Sequence, residues 1–100
     1  MTDKAVRREQ FVQAALRLAK RDGFESIDKP AIAKEIGLTE SLMYHYFKSV
    51  KDVRVAVMQR AVHQKIVPIV ARGIALGYAC ARNCDDKLKD AAVKHMLAND

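Results

Sequence analysis

An all-α fold is predicted for this chain of 100 residues, on three observations. Apolar residues recur at intervals of three and four, and the alternation of a half-buried strand is absent. With only 4 glycines and 2 prolines, three of the glycines, Gly23, Gly37 and Gly77, stand where helical patterns stop. Two short helical patterns near the middle are separated by Gly37 and Leu38 alone, the spacing of a helix-turn-helix. A composition 50% hydrophobic and 30% charged fits a small folded unit and argues against disorder.

The first helix is expected from about Asp3 to Asp22. Phe11, Val12, Ala14, Ala15, Leu18 and Ala19 form its apolar stripe, with Arg17, Lys20 and Arg21 opposite. In the second, Asp28 is a good N-cap and Pro30 falls in the first turn, where a backbone N–H has no helical partner. Ile32, Ala33 and Ile36 give it an inner face before Gly37 ends it. Thr39 is expected to cap the third helix, "TESLMYHYF", with Glu40 favourably placed at the positive end of its dipole. Helical spacing puts Met43 and Phe47 on one side, closing a core with Ile32 and Ile36. Glu40, Ser41, Tyr44 and His45 then fall on the other. A helix in this position enters the DNA major groove, which gives the outward tyrosine and histidine a reason to be exposed.

Charge points the same way. The formal net charge is +6 and the pI near 9.6, which favours an anionic partner such as nucleic acid.

The run "FVQAALRLAKRDGF" followed by "IAKEIGLTESLMYHYFKSVKDV" resembles the N-terminal domain of the TetR family of transcriptional repressors. The likeness covers roughly residues 7 to 58. It implies a TetR-like three-helix DNA-binding domain in which Thr39, Glu40 and Ser41 touch base edges, Tyr44 and His45 phosphate or bases, and Lys48 phosphate. Two departures shift the expected contacts. Val50 stands where the family often has a phosphate-binding lysine, leaving that role to Lys51, and Pro30 replaces a frequent arginine, leaving Lys29 as the phosphate contact. Glu40 has two readings, completing the helix dipole or accepting from a cytosine amine. Arg7, Arg8, Lys20 and Arg21 read as solvated charges, although the resemblance also places Arg7 and Arg8, at the start of helix one, where family members touch the phosphate backbone.

Beyond this region a fourth helix is expected with Val53, Val57, Met58 and Ala61 inward, and Pro68 breaks the pattern with Val67 biased out of helix. "PIVARGIALG" forms a short helix and "CDDKLKDAAVKHML" the last one, with acids at its head and Lys94 and His95 near its end. Ile66, Ile69, Val70, Ile74, Leu88, Val93 and Leu97 exceed the needs of one small core and are expected to join two copies. The domain reading is therefore 1–61 for DNA binding and 62–100 for dimerisation. Typical family members continue into a large inducer-binding domain, whereas this sequence stops at Asp100, and two short helices do not enclose a drug-sized pocket. The whole is similar to the short repressors carried by plasmids and phages.

Other classes fit less well. No paired-carboxylate, nucleophile–base or phosphate-loop motif suggests an enzyme, and no cofactor is expected. Cys80 and Cys84, taken with His63 or His95, match no standard zinc spacing. No apolar run approaches the ~20 residues of a membrane span and the N-terminus lacks the apolar core of a signal peptide, so the expected place is the cytoplasm. The competing reading is a helix-turn-helix used for protein interaction without specific DNA binding.

Overall fold

The computed structural model describes residues 2–98, with side chains from residue 4. Seven α-helices are found among them: α1 (Thr2–Asp22), α2 (Lys29–Ile36), α3 (Glu40–Met43), α4 (Val50–His63), α5 (Val67–Leu76), α6 (Ala79–Arg82) and α7 (Asp86–Ala98). A single 3-10 turn, Phe24–Ser26, joins α1 to α2. No helix among the described residues is long and apolar enough to cross a membrane. Contacts divide the chain into two compact units between Val57 and Met58, inside α4 and slightly before the expected 61/62 boundary. Met58 falls in the second unit because its side chain lies against Gly73 of α5.

In the first unit α1 packs on α2 and on the 3-10 turn, and α2 on α3. Phe11, Val12, Ala14, Ala15, Leu16, Leu18 and Ala19 are all buried, so the inner face of α1 is wider than the expected stripe by Leu16. The Asp28 carboxylate accepts from the Ala31 N–H at 2.9 Å and starts α2 as expected. At its other end Gly37 takes φ 77°, and the N–H groups of Gly37 and Leu38 both donate to the Ala33 carbonyl, at 2.8 and 3.1 Å. A left-handed residue closing the last turn in this way is cheapest as glycine. Ile32 is buried, but Ile36 is only half-buried. In the last turn of α2 it lines an open groove with Ala5 and Val6.

In the second unit α5 packs on α6 and α7. Val67 is the first residue of α5 rather than a residue outside it, and Ile66 takes the extended conformation at φ −84°, ψ 91°. Pro68 is tolerated because it stays within the first turn. Helix α6 was not anticipated in the sequence. Its Ala81 is fully buried, beside Gly73. At the head of α7 the Asp85 carboxylate accepts from the Lys87 N–H at 2.8 Å.

The structure corrects part of the expected dimer surface. Ile69, Val70 and Leu88 are buried within the chain, because α5 and α7 spend these residues on each other and on their own unit. They form core and offer no free surface to a second copy. Ile66 and Ile74 are half-buried, while Val93 and Leu97 are exposed, together with Leu76.

Candidate nucleic-acid interface

Helix α3 is one α-turn long. It continues as tighter turns in which Tyr44, His45 and Tyr46 donate to the carbonyls of Ser41, Leu42 and Met43 at 3.2, 3.1 and 3.0 Å. Met43 and Phe47 are buried as expected. Tyr46 also turns inward: its ring centre is 5.7 Å from that of Phe11, and Phe47 meets Phe11 edge-on at 6.3 Å. Two of the element's four rings, Tyr46 and Phe47, therefore anchor it on α1, which leaves Tyr44, at 48% exposure, as the outward tyrosine.

The outer side carries the other expected residues. Thr39, Glu40, Ser41, Tyr44 and His45 are all exposed, as are Lys29, Lys48 and Lys51. Thr39 precedes α3 in an extended conformation, but its hydroxyl makes no capping bond. Instead it lies 3.3 Å from the Ser41 hydroxyl, so two adjacent polar groups face outward and keep spare hydrogen-bonding capacity.

Lys29 stands at the head of α2, with its ammonium 5.3 Å from the centre of the Tyr44 ring. A hydrogen bond with Tyr44, aided by the field of Glu40, raises Lys29 above the ordinary lysine range. The first turn of α2 is not a free anion site in its own right, because Asp28 already occupies the Ala31 N–H and Pro30 has none. An anion here meets the Lys29 side chain. Lys48 lies in the bend between α3 and α4, and Lys51 in the first turn of α4. Both are misplaced for the α4 dipole, which favours acids at that end.

Sequence reasoning missed the arginines that brace this surface. Arg54 on α4 donates from Nε and Nη2 to the carbonyl of the buried Ile27, at 2.9 and 2.7 Å. Arg8 donates to the Tyr46 carbonyl at 2.9 Å and lies over the Phe47 ring at 4.2 Å. Arg17 and Arg21 reach Glu35 at 3.2 and 3.1 Å, and hydrogen bonds from Arg17 and then Arg21 hold the Glu35 carboxyl below the usual range. Arg8 and Arg21 are thus engaged rather than simply solvated. The available signal was weak: an arginine between inward valines, as Arg54 is beside Val53, hints at a buried acceptor, but not at which one.

Cys80 and Cys84 are free and half-buried. Burial, with Asp85 adding to it, pushes the Cys84 thiol up, so its reactive thiolate is scarce. Among the described residues no group of three or more His, Cys, Asp or Glu is placed to hold a metal ion.

A two-helix turn with a polar, basic outer side and an aromatic anchor is the arrangement of a DNA-binding helix-turn-helix regulator. Residues 11–57 match the model of the tetR family of bacterial regulatory proteins, and over this region the chain is similar to that family. Two relatives, each named an uncharacterized HTH-type transcriptional regulator and found in two strains of Mycobacterium tuberculosis, are 35% identical over 66 residues, or 65% of this chain. The chain spans 27% of the length of each. No solved structure matches it. The family resemblance read from the motifs was therefore correct, and the family is one of transcriptional regulators rather than of enzymes.

Proposed function

We propose that the chain is a cytoplasmic repressor that binds an inverted-repeat operator as a homodimer, reading it with residues 39–47. One observation carries this reading: Thr39, Glu40, Ser41, Tyr44 and His45 are exposed together on a short element whose Met43 and Phe47 are buried. In this reading Thr39, Glu40 and Ser41 meet base edges, Tyr44 and His45 meet phosphate or bases, and Lys29, Lys48 and Lys51 grip phosphate. The misfit of Lys48 and Lys51 with the α4 dipole supports a role outside the fold. Ile66, Ile74, Val93 and Leu97, joined by Leu76, form the contact with the second copy.

Selection of duplexes from a random pool, followed by binding at two salt concentrations, tests the proposal. Specific affinity should fall steeply with salt, and Lys48→Ala should flatten the plot of log affinity against log salt by about one unit per bound protomer. Glu40→Ala should relax preference at one base pair per half-site by ~1 to 3 kcal/mol. Salt-insensitive binding, or no selected sequence at all, favours the protein-interaction reading. For the dimer, Val93→Asp should yield a monomer by light scattering, because a charge buried in an apolar contact costs several kcal/mol. A dimer that persists moves the contact elsewhere.

A further inference from the structure

The end of the reading element is held from outside. Only Glu40–Met43 are α-helical. Tyr44 and His45 project from i→i−3 turns, whose hydrogen-bond geometry is poorer than that of an α-helix. The carbonyls at such an end have no partner within the helix. One of them, on Tyr46, accepts from Nη1 of Arg8 at 2.9 Å, across 38 residues of sequence. The same guanidinium lies 4.2 Å from the centre of the Phe47 ring. Arg8 thus fixes the backbone at one residue and the side chain at the next, from a rigid position on α1. Its charge is also of the sign that a helix C-terminus favours.

We infer that Arg8 is a positioning residue for DNA reading. It sets the orientation of the 44–46 turn, and through that turn the place where Tyr44 and His45 meet the duplex, while making no DNA contact itself. This rests on the proposal that residues 39–47 read DNA. Unlike the exposed Lys48, Arg8 has one Nη1 N–H and one face of its guanidinium engaged within the fold, so its orientation is set by Tyr46 and Phe47 rather than by a phosphate.

The test uses the full chain, a duplex selected by the wild type from a random pool, and an unrelated duplex of the same length. Arg8→Ala removes the whole brace, and Arg8→Met keeps an apolar stem over Phe47 without the donors. Both should lose about tenfold in affinity for the selected duplex, with broadened preference among single-base variants. Affinity for the unrelated duplex and its salt slope should stay at the wild-type level. Arg8→Lys, which restores a cation and one donor, should recover most of the lost preference. Binding is measured well below the thermal midpoint of every variant, so that a change in folded fraction does not enter. An equal loss on both duplexes, with the salt slope flattened by about one per protomer, overturns the inference and makes Arg8 a phosphate contact. A lower midpoint with an unchanged base profile also overturns it and leaves Arg8 a role in the fold alone. Wild-type chain that discriminates no duplex at all refutes the underlying DNA-reading proposal, an outcome visible before any variant is made.

Discussion

In the first unit, arginines reach across sequence to backbone carbonyls, Arg8 to Tyr46 and Arg54 to Ile27. In the second, the tightest approach is made by the absence of a side chain, where Gly73 of α5 lies against Met58 and Ala81. The first unit must hold a short polar element in a fixed attitude while leaving its outer side bare, and directional bonds from the flank do this without covering it. The second has no such element to present among its described residues; Arg82 of α6 donates to the Ile74 carbonyl at 3.1 Å, a tie over a short stretch of sequence, and close contact of small and apolar groups is the prominent feature beside it. Directional ties tolerate changes in volume but not loss of a donor, whereas close packing has the opposite sensitivity.

The largest effect is expected where the second unit is tightest. A β-carbon added at Gly73 meets the Met58 sulfur, the Met58 Cε at 2.7 Å and the Ala81 Cβ at 2.8 Å. The end of a methionine side chain normally yields, but Met58 is itself fully buried, and the Ala81 Cβ is fixed to the backbone of α6. Gly73→Ala should therefore destabilise by about 1 to 3 kcal/mol, even though alanine is preferred over glycine in a helix by up to about 1 kcal/mol. Urea unfolding measures the balance. A stabilised variant would mean that α6 is free to move, and the contrast between the units would then lose its packing half.

The first unit was the more legible one in the sequence, for a physical reason. A helix-turn-helix needs a cap, a glycine and an apolar pair at fixed spacings, and Asp28, Gly37, Met43 and Phe47 all perform as read. What stayed hidden was long-range: the Arg8 and Arg54 acceptors are backbone carbonyls, which carry no sequence signature. Thr39 looked like a cap because threonine usually is one, yet its hydroxyl turned to Ser41 instead. In the second unit apolar periodicity identified α5 and α7 but did not separate core from surface. Ile69, Val70 and Leu88 share their stripes with Ile74, Val93 and Leu97, and only the packing partners decide which are covered. Helix α6 is too short for any period to show.

A smaller effect of opposite sign is expected at Lys65, which has φ 58°. It ends α4 much as Gly37 ends α2, with the Ile66 N–H donating back to the Ala61 carbonyl at 2.9 Å. A residue with a β-carbon is strained in this region by roughly 1 kcal/mol, and glycine is not. Glycine loses more chain entropy on folding, which offsets part of the gain. Lys65→Gly should raise stability by about 0.5 kcal/mol, read as a shift of the urea midpoint at constant slope. A loss of stability instead would show that the lysine side chain supports the end of α4.

The smallest effect belongs to the pairs between Glu35 and the two arginines of α1, and pH is the means of isolating it. The Glu35 side chain is 17% exposed, but those of Arg17 and Arg21 are 54% and 59% exposed, so solvent and salt screen much of the attraction. Because hydrogen bonds from Arg17 and Arg21 depress the Glu35 carboxyl in the folded chain, folding is favoured at pH values above the ordinary glutamate pKa of about 4.3. Protonation removes that contribution as pH falls through the lower folded value. The stability difference between the wild type and Glu35→Gln should therefore be level from neutral pH to about pH 5 and shrink below about pH 4. Added salt should shrink it at every pH. Directional carbonyl bonds such as that from Arg54 to Ile27 involve no titrating acceptor, and the loss on Arg54→Met should stay constant over the same range. If the two variants instead responded to acid alike, the arginine ties of the first unit would have to be treated as one electrostatic network rather than as separate fixed bonds.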